Sequence, residues 1–342
     1  MKAIVLGAGG FIGYHLVKRL KNDGYFVRAI DLKYPQFADT WSDEFIIADL
    51  RDPGLVKTLL EPGYDECYQL AADMGGAGFV FTGENDADII HNNLLINLNV
   101  AHYATTNLIK KLFFSSSACV YPKHNQEDPK KPICKESSVY PANPDSEYGW
   151  EKLISERLYR DYEKNYGLNI RIARYHNIYG PYGTFEGGRE KVIASLCRKI
   201  TETEFNKQDH IKIWGTGEQT RSFLYIDDCI NMTRALMKSN FDFPVNIGSE
   251  EMVTINDLAR MLIHISKKKL SIKHIVDNVP IGVMGRNSDN KMFREMVDKI
   301  PVTSLKYGLK DTYRWIHNEI TQRRYIYERN PETGDIQRRP VT

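Results

Sequence analysis

Short apolar runs alternate with helical patterns through the first half of the chain. Lys2 to Leu6 is the first run, followed by a helical pattern through Leu20. Further runs span Phe26 to Ile30, Phe45 to Ala48, Glu66 to Leu70, Leu112 to Ser116 and Gly167 to Ala173. Between them lie helical stretches, among them Asp86 to Lys110 and the segment carrying Tyr148 and Lys152. This alternation predicts an α/β fold, a Rossmann-type doubly wound parallel sheet with ligands at the strands' carboxyl ends. After Tyr175 the pattern changes to aromatic and glycine-rich loops, a helix over Glu190 to Ile200, and scattered short strands. The expected organisation is a nucleotide-binding domain over 1–174, to which elements from about 222–248 can return. A smaller, partly interleaved α/β substrate domain covers 175–328, and a polar, mobile tail covers 329–342.

The first strand runs into Gly7-Ala8-Gly9-Gly10-Phe11-Ile12-Gly13. In such a turn Gly7 permits the tight reversal, Gly10 lets backbone amides approach a pyrophosphate, and Gly13 lets the helix lie close on the sheet. Asp31 ends the second strand, where a carboxylate can accept hydrogen bonds from ribose hydroxyls and would repel a 2′-phosphate. The cofactor expected is therefore NAD, not NADP. Asp49 and Leu50 end the third strand, where the acid can reach an adenine amino group, and Ala71 follows the fourth.

Composition narrows the partners. The formal net charge of +2 over 342 residues gives no electrostatic reason to expect nucleic acid or a membrane surface. Five scattered cysteines without a CxxC pair argue against zinc and a disulfide framework. The N-terminus lacks a signal-peptide core, no run reaches membrane-spanning length, and a cytoplasmic enzyme without a metal is expected.

Tyr148 and Lys152 share a helical face, and Ser117 lies at the end of an apolar run. Serine, tyrosine and lysine together can take hydride and proton from an alcohol. Ser117 would orient the hydroxyl. Lys152 and a positive nicotinamide would lower the phenol's pKa and make it a usable base, and Lys152 would also hold the nicotinamide ribose. Cys119, two residues beyond that serine, suggests further chemistry on the resulting ketone.

These residues carry a resemblance. The first 175 positions resemble the extended short-chain dehydrogenase/reductase family, the NAD-dependent epimerases and dehydratases. The whole length bar the tail is similar to the GDP-mannose 3,5-epimerases, through LAADMGGAGF (70–79), SSSACVYP (115–122), EYGWEKL (147–153), RYHNIYGPYGTFEGGREK (174–191), WGTGEQTRSF (214–223), PVNIGSEEMV (244–253) and GRNSDN (285–290). Where C4-epimerases usually carry Thr and 4,6-dehydratases Glu, this chain has Cys119. The resemblance implies that Cys119 removes a proton next to a transient C4 ketone and that Lys191 delivers one from the opposite face. It implies cofactor contacts from Gly7, Gly10, Phe11, Ile12, Gly13, Asp31, Asp49, Leu50, Ala71, Tyr148 and Lys152. For a GDP-hexose it implies contacts from Gly75, Gly76, Ser117, Cys119, Asn177, Glu190, Lys191, Lys199, Gln219 and Arg221, with Arg286 on the diphosphate. A homodimer is expected, packed through the Tyr148 helix and the one before it, with Leu94, Leu98 and Leu158 compatible. Competing readings are an NDP-sugar 4-dehydrogenase or 4,6-dehydratase and an NAD-binding regulatory protein.

Overall fold

The computed structural model describes residues 1–297, 302–329 and 336–340. Its first half alternates β1 (Lys2–Leu6), α1 (Phe11–Asn22), β2 (Phe26–Asp31), β3 (Glu44–Ile47), α2 (Pro53–Leu59), β4 (Glu66–Gln69), α3 (Ala77–Val80) and α4 (Asp86–Thr106). β5 (Leu112–Ser117), α5 (Glu147–Tyr166) and β6 (Ile170–Tyr175) complete it. The strands are parallel, and a seventh, β11 (Val245–Ile247), joins them in the order β11-β6-β5-β4-β1-β2-β3. Both faces of the sheet are covered by helices, so β1, β4 and β6 are buried along nearly their whole length, although only β1 is a near-continuous apolar run. Strand order reverses between β1 and β4, which opens a crevice above their carboxyl ends.

The second half lies over that crevice. It comprises β7 (Ile178–Tyr179), α6 (Val192–Asn206), β8 (His210–Trp214), β9 (Thr220–Ser222) and β10 (Leu224–Tyr225), then α7 (Ile226–Lys238), β12 (Met252–Thr254), α8 (Ile255–Ser266) and β13 (Ser271–Ile275). β14 (Gly285–Arg286), α9 (Lys291–Met296) and α10 (Leu305–Arg324) follow. α7 packs against α1, and one apolar core runs from the sheet face beneath them through α6, α8 and α10. α2, α4 and α5 cover the other face.

Local chemistry explains several boundaries. Ser146 caps α5 by accepting the Gly149 N–H, and Gly167, left-handed at φ 74°, ends it. The strand expected from Gly167 therefore begins at Ile170. The helix expected from Glu190 begins at Val192, because Lys191 is extended (φ −84°, ψ 165°) as its N-cap. Part of the expected tail forms a strand, β16 (Ile336–Pro340), paired antiparallel with β15 (Tyr325–Arg329); residues 330–335 and 341–342 of that stretch lie outside the described residues.

A buried ion pair ties β5, β6 and α5 together. Arg174 donates to both carboxylate oxygens of Glu156, at 2.9 and 2.7 Å, and Ser116 donates to the same carboxylate at 2.5 Å. Both side chains are 4% exposed. Glu156→Ala would leave the guanidinium buried without its counter-charge and should cost about 3–5 kcal/mol in urea unfolding.

Candidate active site

At the cofactor end of the crevice the β1–α1 turn is drawn tight by backbone contacts. Gly7 has φ 84°, and a Cβ there would stand 2.7 Å from the Ala71 nitrogen; one on Gly13 would stand 2.1 Å from the Gly7 oxygen. Gly10 caps α1 without a side chain, so the N–H groups at Phe11 and Ile12 begin a helix whose positive end faces the crevice. The glycine under the heaviest restriction is Gly9: its Cβ would meet the Lys33 oxygen at 2.0 Å, whereas one on Gly10 would meet only the Gly7 oxygen at 3.4 Å. Sequence reasoning saw Gly9 as an extra glycine but could not see the 33–38 loop lying over it.

Asp31 accepts from the Gly9 N–H at 2.9 Å and the Lys33 N–H at 3.2 Å. Burial raises its carboxyl above the ordinary range, and those two N–H groups only partly offset it. Asp49 is held below its ordinary range by the Arg51 guanidinium, 2.6 Å away, and Leu50 beside it is buried. A turn with no room for side chains at three glycines, open at a helix N-terminus and bordered by Asp31, fits a dinucleotide.

The redox group sits where β5 meets α5. The Cys119 N–H donates to Ser117 Oγ at 3.2 Å, and the Tyr148 phenol lies near enough to the Ser117 side chain to feel it. α5 comes this close because Gly149 follows Tyr148; a Cβ there would stand 2.2 Å from the Cys119 oxygen. The expected lowering of the Tyr148 pKa is not what the protein alone produces. Burial pushes the phenol well up, and Cys119 and Glu151 add to the rise. Lys152 is lowered by burial, opposed chiefly by Glu151. Among the described residues, Lys152 Nζ and Glu151 Oε2 have no hydrogen-bond partner, though they lie 3.8 Å apart. A buried ammonium with free donors suits ribose hydroxyls. Glu151 escaped the sequence reading, since it looks like any helical acid; its other oxygen accepts from Asn97 at 2.9 Å and Ser155 at 2.8 Å.

At the same junction Cys119 is half-buried, with its sulfur accepting from Arg286 Nη1 at 3.2 Å. Lys191 opens onto the cleft, but the surrounding protein desolvates its ammonium and lowers its pKa, an effect that the charge of Cys119 opposes. The two groups expected to exchange protons thus lie near enough for the charge of one to act on the other. Gly76 packs its Cα against the Glu190 carbonyl, where a Cβ would stand 2.2 Å away, and Gly75 packs against Phe79. Gly76 also donates to the Arg189 carbonyl at 3.0 Å, and Arg189 reaches Asp73 at 2.9 Å, so the 70–79 loop is bolted to the chain before α6.

Most of the remaining expected contacts are engaged with protein groups, though among the described residues Glu190 Oε2 has no hydrogen-bond partner. Asn177, at φ 44°, donates to the Ser222 carbonyl at 2.9 Å. Glu190 pairs with Arg198 at 2.8 Å. Arg221 donates to the Val283 carbonyl at 2.7 Å, and burial lowers its pKa to about 10. Gln219 is buried, and its Oε1 has no partner among the described residues. Lys199 donates to the Lys212 carbonyl at 2.9 Å beside Trp214 and feels the charge of Glu190. Arg286, expected on a diphosphate, also donates through Nη1 to the Cys119 sulfur at 3.2 Å.

Comparison with known proteins identifies the family. The model of the epimerase family, described as the NAD dependent epimerase/dehydratase family, matches residues 3–248. GDP-mannose 3,5-epimerase from Arabidopsis thaliana is 44% identical over 94% of this chain and 83% of its own length. GDP-mannose 3,5-epimerase 1 from Oryza sativa subsp. japonica is 43% identical over 94% and 82%. Among solved structures, UDP-glucuronic acid 4-epimerase from Bacillus cereus, in complex with UDP-glucuronic acid and NAD, superposes with a TM-score of 0.75. It is 29% identical, over 93% of this chain and all of that one.

The glycine contacts separate two substitutions. Gly9→Ala must displace the Lys33 carbonyl and should lower stability by about 1–3 kcal/mol in thermal melting. Gly10→Ala has room for its methyl within the protein and should keep the melting temperature while weakening NAD binding by titration.

Proposed function

This chain belongs to the NAD dependent epimerase/dehydratase family, and on that premise we propose that it inverts C3 and C5 of GDP-mannose. The product is GDP-L-galactose, with GDP-L-gulose formed when C5 alone inverts. The observation that carries the reading is the thiol of Cys119, two residues past Ser117 and in one electrostatic environment with Tyr148, Lys152 and Lys191. Both GDP-mannose epimerase relatives span more than four-fifths of their own length in the match.

The cofactor is NAD, which when bound accepts the hydride from C4 and returns it at the end. Ser117 orients the C4 hydroxyl and Tyr148 takes its proton, with Lys152 holding the ribose and supplying positive charge nearby. The C4 ketone makes C3–H and C5–H acidic enough to lose as protons. Cys119 as thiolate removes a proton at one of these carbons, leaving an enolate. Lys191 as ammonium gives a proton to the same carbon from the other face, which inverts it. Proton exchange with solvent returns Cys119 to thiolate and Lys191 to ammonium, after which repetition at the second carbon and return of the hydride to C4 complete the reaction with no net redox change.

The reading extends to the rest of the chain. Residues 1–174, with 222–248, hold the cofactor, as the pairing of β11 with β6 and of α7 with α1 supports. The segment 175–328 holds the sugar nucleotide. The protein works as a cytoplasmic homodimer, in keeping with five free cysteines and with Leu98 and Ile154, 47% and 45% exposed on α4 and α5. Among the described residues no helix is long and apolar enough to cross a membrane.

Incubation with GDP-mannose in deuterated water should place deuterium at both C3 and C5 without accumulation of NADH, followed by NMR. Label at C5 alone with loss of water would favour a dehydratase, and no exchange would defeat the enzymatic reading. Cys119→Ala should slow exchange on the order of 10²–10⁴-fold while NAD still binds. The ammonium of Lys191 is the proton donor and its pKa is lowered. Exchange should therefore decline as pH rises through that lowered value, earlier than for an ordinary lysine, and the alkaline limb should vanish in Lys191→Ala.

A further inference from the structure

Arg286 is fixed at three points. Its Nη1 donates to Cys119 Sγ at 3.2 Å, its Nη2 to Asp145 Oδ2 at 2.9 Å, and its Nε to Gln126 Oε1 at 2.5 Å. The side chains of Arg286 and Asp145 are 7% and 4% exposed, and Gln126 is wholly buried. The backbone adds to the restraint, since a Cβ on Gly285 would stand 2.7 Å from the Asp128 carbonyl oxygen. A guanidinium is a planar fork, so fixing Nε and Nη2 leaves Nη1 a single direction, towards the sulfur.

We propose that Asp145 is a positioning residue for Cys119: through Arg286 it holds a permanent cation against the sulfur that takes the sugar's proton. The proposal rests on the reading of Cys119 as the base, and it gives Arg286 a role at the thiol whatever its remaining N–H donors bind. Deprotonation of the thiol creates a negative charge in a largely desolvated cleft, and a donor already aimed at the sulfur stabilises that charge without reorganisation. Other groups also face Cys119: Tyr148 and Lys152 from α5, Lys191 from the start of α6, and Arg221 from β9. Cys134 and Asp145 face Arg286 from its own side. Burial lowers Lys152, Lys191 and Arg221, whereas Arg286 is raised, because Asp145 and its other neighbours outweigh the burial that opposes them. Arg286 is the cation in hydrogen-bond contact with the sulfur, and Asp145 is the carboxylate that keeps it there.

The test is the pH profile of Cys119 alkylation by iodoacetamide in the NAD-loaded enzyme, read by mass spectrometry of the Cys119 peptide. The other four cysteines are buried. Asp145→Ala should move the midpoint to higher pH and slow alkylation about tenfold at neutrality, the loss of thiolate that one pH unit gives. Asp145→Asn keeps an oxygen to accept from Nη2 and should restore the wild-type midpoint. A midpoint in Asp145→Ala that is unmoved, or moved to lower pH, overturns the proposal. So does an Asn variant that behaves like Ala, since the charge and not the position would then matter. If Asp145→Ala does not fold, Arg286→Lys decides: it keeps the charge but cannot serve all three partners, so the same alkaline shift is expected and an unmoved midpoint is fatal. Alkylation needs no sugar substrate, so its outcome stands apart from that of deuterium exchange into GDP-mannose.

Discussion

The active site depends on how closely α5 approaches the end of β5. That approach exists because residue 149 has no side chain: the Gly149 Cα rests against the Cys119 carbonyl, where a methyl group would stand 2.2 Å away. One contact sets two chemistries at once. It brings Tyr148 within reach of the Ser117 hydroxyl, and it fixes the short turn that carries Cys119. The Ser146 cap and the Arg174–Glu156 pair hold the helix in place from its first turn and its buried face. A site for sequential oxidation and proton transfer at adjacent carbons needs its redox and acid–base groups in one rigid frame, and this junction supplies it.

Charge burial is the second organising theme. Lys152 and Glu151 are both fully buried, neighbours in sequence, and not hydrogen-bonded to each other. Glu151 is satisfied on one side by Asn97 and Ser155, which anchors it in the α4–α5 interface and leaves its field directed at the ammonium. The polar interior is thus divided in purpose. The Arg174–Glu156 pair is saturated with hydrogen bonds and serves the framework, whereas Lys152 keeps donors in reserve for a ligand.

Much of this was legible in the sequence. Apolar runs identified strands such as β1 and the start of β5, because strands covered on both faces need no alternation, and the glycine turn and the Tyr148–Lys152 spacing followed from local geometry alone. The family resemblance pointed to Cys119 and Lys191. What stayed hidden depends on contacts between distant segments. Gly9 matters because of the loop at Lys33, and Gly76 because of the carbonyl of Glu190. Arg286 meets Cys119 across 167 positions, and no periodicity or motif encodes that meeting. The Tyr148 pKa in the protein alone is hidden for a related reason: the spacing shows the lysine one turn away, but the desolvation that raises the phenol comes from the whole enclosure.

The seventh strand imposes an order on the making of the molecule. β11 pairs with β6, yet residues 176–244 separate them in the chain. During synthesis the β6 edge therefore leaves the ribosome with its hydrogen-bonding groups unpaired. It stays so until the substrate-covering loops, α6 and α7 have also emerged. The nucleotide-binding sheet cannot close as an N-terminal unit and wait for the rest. A chain interrupted anywhere in that interval would carry a complete glycine turn and redox helix beside an open strand edge, so truncation there yields a template for association and not a smaller working enzyme.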